Sequence, residues 1–490
     1  MPRIALTGGA YQARSVIASA QRCLNLYAEP MPQVQGEPAQ FAYYPTAGLS
    51  LLLTMPENIV RGIRQSSTGH IYAVAGKGVY RIEPGAPFVP GTPWTITHLG
   101  DITAGRTTPV SMNDNGSTMF IVDGTTGGWT VNLSNDAFAQ IGPSADPAGM
   151  FAGADAVAYL DTFFVFNKPG TPQFYWSLSN AATFDPTALD IANKETTPDN
   201  LVTLAVAKSE IWLLGQRATE IWTDIGASDT QFQRMPGVLV DHGCVAKYSV
   251  AVYDDAVYWL TDGRAGERFI ARGAGYTATR ISTYAIETQL RDYPRVDDAI
   301  GMFYSQSGHS YYVLTFPTAD HTWVYDVTTG QWHEWLWLDS NGDEHRHRVN
   351  CIGVVYDGIP MGGDWQNGNI YEISSLVFTD AGNPIKRVRS FPHIINDSKR
   401  VFYRQFIADI APGNPSSGTA VDLSLDWSDD RGNTFGNPVS QAMGGIGTYL
   451  TSLQWQRLGM SRDRVYRLFW SIAADTALQG CWIEIESAQT

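Results

Sequence analysis

The densest chemistry-bearing motif is Ser428-Asp429-Asp430-Arg431-Gly432-Asn433-Thr434-Phe435, which fits the S-x-D-x-G-x-T-[WF] pattern of the Asp-box. Asp430 can accept from the amides of its own turn, and Gly432 can supply a positive φ. Thr434 and Phe435 would start the return strand. In sugar-cleaving enzymes this motif is structural and lies away from catalysis. It occurs once here, so Ser428, Asp430, Gly432, Thr434 and Phe435 predict a hairpin turn and not a sialidase. A sialidase would need three converging arginines, a Tyr nucleophile with a Glu base, and an acid Asp, and the spacing follows no such pattern. Among 48 acidic residues some carboxylate pair is always available, so availability alone does not argue for glycoside hydrolysis.

Two other polar runs invite a reading. Asp343-Glu344-His345-Arg346-His347-Arg348 contains His-x-His, which on a strand would put both imidazoles on one face, as a metal requires. The run follows the turn signal Ser340-Asn341-Gly342, which favours a solvated loop. GAGYTATR, from Gly273, lacks the Lys and the following helix of a phosphate loop. Cys23, Cys244, Cys351 and Cys481 stand far apart with no CxxC pair, and are expected to be reduced, buried thiols. No catalytic residue, cofactor or metal site is expected, and the chain reads as a non-enzymatic protein.

The basic residues cluster. Lys386, Arg387, Arg389, Lys399, Arg400 and Arg404 lie close together, and Arg457, Arg462, Arg464 and Arg467 follow. On a strand such as RVYRLFW, arginines project to one face while aromatics pack beneath. Residues 385–490 carry 11 Lys and Arg against 10 Asp and Glu, whereas the preceding 384 residues carry 22 against 38. The arginines Arg387, Arg389, Arg400, Arg404, Arg457, Arg462, Arg464 and Arg467 therefore form a candidate contact surface for an acidic neighbour, such as the body of the next copy in a ring. The plainer reading is a solvated face paired with local carboxylates. An acidic body, with a net charge of −15 for the whole chain, is a poor nucleic-acid binder but suits a surface past which DNA slides.

The elements that must position these residues are strands. Of 490 residues, 12% are aromatic and only 17% charged, and 47 are glycines, a texture of short strands and tight turns. A hairpin pattern recurs around Tyr72, Phe120, Phe164, Trp212, Tyr258, Tyr312 and Tyr356, at the spacing of propeller blades. Each copy reads as the inner half of a four-stranded blade. The fold expected is all-β: a β-propeller of about seven blades (six being the other count) over residues 56–375, an N-terminal arm over 1–55 that closes or decorates it, and a C-terminal β-sandwich over 376–490. PGNPSSG, residues 412–418, is read as a sandwich loop. One helix is expected over 283–293, with Tyr284, Ile286 or Thr288, and Leu290 on one face. MPRIALTGGAYQARS lacks the features of a secretory signal, and no apolar run is long enough to span a bilayer.

Several stretches, in this order and spacing, resemble a known family. They are GDWQNGNIYEI, FTDAGNPIKRVRSFPHI, KRVFYRQFIADI, LDWSDDRGNTFGNP, GGIGTYLTSLQWQRLGMSRDRVYRLFW and GCWIEIE. Weaker agreement runs through SEIWLLGQRATEIWTDIGAS and VDHGCVAKYSVAVYDDAVYWLTDG to NLYAEP and YYPTAGL. The chain resembles the packaged-DNA stabilisation proteins, or tail hubs, of short-tailed bacteriophages infecting enterobacteria. The resemblance implies a structural virion protein of the tail, made in the host bacterial cytoplasm. It implies a homo-hexamer ring below the portal-adaptor (head-to-tail) protein that closes the DNA exit channel. Tail needle or plug and tailspikes would dock on it, and DNA would pass without sequence-specific binding. The family carries no catalytic residues to transfer. The rival readings are a β-rich receptor- or carbohydrate-binding tail protein and a propeller glycosidase.

Overall fold

A computed structural model describes residues 3–9, 13, 15, 17–32, 41–85, 93–142, 150–185, 190–227, 231–262, 266–355, 358–397, 399–413, 422–444 and 451–487. Strand-forming runs dominate it, with one α-helix and one short 3-10 turn among the described residues. The family of hairpins read from the sequence becomes seven antiparallel sheets in a ring. Blades 1 to 6 span residues 60–101, 111–141, 157–193, 201–234, 251–280 and 300–334, each with its four strands in chain order. Blade 7 takes three strands from residues 349–374 and its fourth from the strand β5, Gly48–Thr54, near the start of the chain. The innermost strands touch in succession, and the seventh, Val349–Val355, closes on the first, Val60–Gln65.

One hydrophobic cluster fills each gap between neighbouring blades. Trp212 and Trp259 pack between blades 4 and 5, and Phe174, Trp176 and Trp222 between blades 3 and 4. Each such fully buried large side chain contributes about 1.5–3 kcal/mol, so inter-blade burial is the main cohesive term. The repeated hairpins are the middle pair of each blade, not its inner half: Ile71–Ala75 and Gly78–Glu83 lie between Val60–Gln65 and Thr95–Asp101. The middle strands are buried on both faces by adjacent blades, which is why they stand out as apolar runs. Inner strands pack closely at their ends, and at Gly301 an added Cβ would come 2.1 Å from the carbonyl oxygen of Ser249, in the turn that leads into blade 5.

The expected helix forms as α1, Tyr284–Asp292, capped by the Thr283 side chain, which accepts from the Ile286 amide. Its buried face is Ala285, Ile286 and Leu290, so Ile286 and Leu290 lie inside as expected, while Tyr284 is 71% exposed and Ala285 takes its place.

The described N-terminal residues, expected as an arm that closes or decorates the propeller, are largely paired strands. Strands β1 (Arg3–Ala5), β2 (Arg22–Leu24), β3 (Leu26–Pro30) and β4 (Phe41–Pro45) precede β5 and are built into the C-terminal region. One sandwich sheet joins β3, β4, Ala477–Ser487, Val401–Ala411 and Thr451–Gln456, with β1 on Ala477–Ser487. The other joins β2, Lys386–Ser390, Asp463–Ser471, Asp422–Ser428 and Val439–Ala442. Tyr43, Phe406, Leu425, Trp455, Tyr466 and Ile483 pack between them. Strand β2 also pairs in parallel with the last strand of blade 6, Leu24 opposite Glu334, so one sheet runs from propeller into sandwich. The 412–418 loop lies largely outside the described residues, as does Tyr356.

Asn25 is the knot of this junction. Its φ is +53°, and its buried amide donates to the carbonyls of Leu336 (2.9 Å) and Lys386 (2.8 Å) and accepts from the Leu336 amide (3.0 Å). Beside it the Arg22 guanidinium bridges Glu334 (2.6 Å) and Glu344 (2.8 Å), and these carboxylates hold its proton more tightly than usual.

Candidate interaction surface

Three of the eight arginines expected at a surface are inside. The strand Lys386–Ser390 is central, with β2 on one side and Asp463–Ser471 on the other, so alternate side chains enter the interior. Arg387 donates from Nη1 to the Ile472 carbonyl (2.6 Å), and burial pulls its pKa down to about 10. Arg389 donates to Gln21 Oε1 (2.9 Å) and lies over the Tyr43 ring, 4.8 Å from its centroid. Arg464 holds Asp429 by two bonds (2.6 and 2.8 Å) and lies 4.5 Å from the Tyr403 ring centroid. These guanidiniums are internal struts, held by carbonyls, a carboxylate and ring faces, although the Nε atoms of Arg387 and Arg389 find no partner among the described residues.

The remaining five reach solvent. Arg400, Arg404, Arg457 and Arg462 are exposed. Arg467 is half-buried, paired with Asp426 (2.6 Å) and stacked 3.8 Å from the Phe435 ring centroid. A groove of about 530 Å³ runs between Arg404, paired with Glu486, and Arg457. Its rim holds Phe402, 43% exposed, which pairs across the ladder with Met460, 38% exposed. Ile395 is 54% exposed on the neighbouring short strand. The sequence reading missed these apolar residues. The alternation in VFYRQF carried the signal, since Val401 and Tyr403 face inward and must leave Phe402 and Arg404 outward. Apolar side chains flanked by unburied arginines have the composition of a contact patch.

The Asp-box forms its turn. Ser428 Oγ donates to Asp430 Oδ1 (2.6 Å) and accepts from the Gly432 amide (2.7 Å). The Thr434 amide (2.9 Å) and hydroxyl (2.6 Å) donate to Asp430, and together these bonds pull its carboxyl down to about 2. Gly432 has φ +87°. Phe435 does not begin the return strand, which starts at Val439; its ring is covered by Arg467 instead.

The 343–348 run is also corrected. Glu344–Arg346 is a strand paired with Leu336–Leu338 and not a solvated loop. His345 Nδ1 lies 2.6 Å from Asp320, which raises its pKa, while His347 is buried against Trp335 and held neutral by desolvation. Among the described residues no group of three His, Cys, Asp or Glu is placed to hold a metal ion. All four cysteines are free; Cys23, Cys244 and Cys481 are buried and Cys351 half-buried. No helix of the described residues is long and apolar enough to cross a membrane.

A propeller sealed by an N-terminal strand and stitched to a β-sandwich defines a rigid β scaffold with an arginine-bearing patch at one end. Two family models match it in tandem: Bacteriophage P22 Gp10, beta-propeller, over residues 3–377, and Bacteriophage P22 Gp10, beta-sandwich, over residues 386–486. The chain belongs to this family, the packaged-DNA stabilisation proteins of short-tailed phages, and is a structural protein of the phage virion. No curated protein matches its sequence. Among solved structures, the N-terminal domain of Nup159 aligns at 10% identity and TM-score 0.40, over 72% of this chain and 98% of that one. The extracellular domain of the putative hybrid two-component system BT3049 from B. thetaiotaomicron aligns at 11% identity and TM-score 0.44, over 85% and 50%. At these scores neither carries an argument.

Proposed function

We propose that this chain is the tail hub: copies form a ring, six by the family resemblance, below the portal-adaptor protein. The ring closes the DNA exit channel and offers a platform to the tail needle and tailspikes. The observation that carries the reading is the tandem match of propeller and sandwich to the two parts of one phage stabilisation protein. The role asked of the chain is mechanical and not enzymatic. Its inter-blade cores and the shared sheet at the junction supply stiffness, and the patch around Phe402, Arg404 and Arg457 supplies a contact for an acidic neighbour. Neighbours in a ring meet through two different faces, and the contact closes only when their rotation matches a whole-number symmetry. The acidic body repels DNA phosphates within about 8–10 Å at physiological salt, so DNA slides past without adhering.

Cryo-electron microscopy of intact virions tests this directly. Density for the chain in a ring on the tail axis below the adaptor is the expected result. Density confined to the tail periphery would replace the hub with a receptor-binding role.

A further inference from the structure

A cavity of about 930 Å³ opens at the axial mouth of the propeller, on the face where the inner strands begin. It is lined by segments entering most of the blades and by the turn after the second strand of blade 7. Five donor atoms on its walls are buried and have no hydrogen-bond partner among the described residues: Arg106 Nε, Thr108 Oγ1, Tyr248 Oη, Arg346 Nη1 and Trp365 Nε1. Unpartnered buried donors are rare in folded proteins, and each calls for a partner.

Arg346 is the most demanding of them. The residue is 8% exposed, and its guanidinium carbon lies 4.1 Å from the Trp365 ring centroid. No ion pair of Arg346 occurs among the described residues. Burial lowers its pKa to about 10, which leaves it charged at neutral pH. A buried cation with no carboxylate bonded to it is costly, whereas a bound anion would turn that cost into affinity.

The other cations around the cavity are mostly paired. Lys247 and Arg295 line it but are neutralised by Asp155 (2.6 Å) and Asp297 (2.5 Å). Asp298 lines it too, with Oδ2 accepting from the Thr318 amide (2.8 Å) and hydroxyl (2.6 Å) and Oδ1 unpartnered. Arg106 donates from Nη2 to the Asp123 carbonyl (3.0 Å), and no carboxylate pairs with it among the described residues. Arg106 and Arg346 face Asp298 in the lining, and the charges of Asp320 and Asp364 also act on Arg346 without bonding it.

We propose that this cavity is an oxyanion site for a phosphate group, held by Arg346, Trp365 Nε1, Arg106 and Thr108. The donors come from the segments entering blades 2 and 7 and from the Trp365 turn, so they suit a group that carries oxygens on several sides. Phosphate does so, and a planar carboxylate does not.

The test is calorimetric titration of the full chain with inorganic phosphate at constant ionic strength and pH 7. Saturable binding is expected, weakened at least tenfold in Arg346→Gln and several-fold in Trp365→Phe, which keeps the ring and removes only the donor. Arg404→Gln, on the sandwich, should bind as the parent does. If Arg346→Gln does not fold, Trp365→Phe carries the test. A parallel titration with a deoxynucleoside 5′-monophosphate identifies the source. Tighter binding than inorganic phosphate assigns the group to a DNA end, and equal binding assigns it to the free ion. No saturable binding by the parent, or unchanged affinity in the folded cavity variants, overturns the site.

Discussion

Arg464 and Arg404 carry the same guanidinium into opposite circumstances. Arg464 is 2% exposed and spends its donors on Asp429 and an internal carbonyl; Arg404 is 55% exposed and pairs with a half-exposed Glu486. Replacing Arg464 with Met should lower stability by about 2–3 kcal/mol, read as the urea midpoint. That is less than the loss of a fully buried pair, because Asp429 is already half in water. Reversing Arg400, Arg404, Arg457 and Arg462 to Glu should leave the midpoint nearly unchanged, since exposed pairs contribute little. Under the hub reading the same variant should fail to enter particles, read by sedimentation of assembled heads. The Asp-box makes a pH statement at the same scale. The Asp430 carboxyl is held at about 2, below its ordinary 3.8, so its contribution is present above about pH 4 and is lost as pH falls toward 2. The Thr434 amide resonance should titrate near pH 2 and not near 4. A sequence could name this turn because every bond in it lies within seven residues. It could not separate strut from surface among the arginines, because alternation gives a face but not whether another sheet covers that face.

Among the elements, the repeated hairpins were legible because adjacent blades bury them on both sides, which writes long apolar runs into the chain. Their place as the middle pair was not. Some inner strands, such as Ser111–Asp114 and Ala251–Tyr253, are short and partly polar, and they lack a distinctive pattern. Strands β1 to β4 read as an arm for a related reason: β1, β2 and the β3–β4 hairpin join strands hundreds of residues away, and no local periodicity reports a distant pairing. Asn25 marks that blind spot, as a single polar residue with nothing beside it in sequence to announce a knot. Asn25→Gly keeps the positive φ and removes only the side-chain bonds. It should cost about 2–4 kcal/mol from three lost buried hydrogen bonds. Thermal unfolding followed at Trp fluorescence checks this. A loss below about 1 kcal/mol would mean that the junction is held by packing alone.

For the molecule as a whole, buried imidazoles set the response to acid. His333 is buried and its pKa is lowered to about 4, mainly by desolvation. The unfolded chain therefore takes up that proton first, and stability present above about pH 6.5 is lost as pH falls toward 4. The loss is on the order of 3 kcal/mol from this residue. His347 acts in the same direction. His309 acts in the other: the Asp326 carboxylate raises its pKa, so its contribution is full below about pH 6.5 and fades as pH rises through the folded value. Urea midpoints from pH 4 to 8 should fall on the acid side, and His333→Gln should flatten that slope. The seam in which β5 completes blade 7 also has a consequence in time. Thr54 bonds Asn369, 315 positions later, so at 5–20 residues per second β5 leaves the ribosome roughly 15–60 s before its partner. Until then β5 lacks its ladder partner, and a chain that stalls before Asn369 exposes open sheet edges to its neighbours. Only a chain translated through both the seventh blade and the sandwich can seal itself, so an incomplete copy keeps its propeller open at the seam.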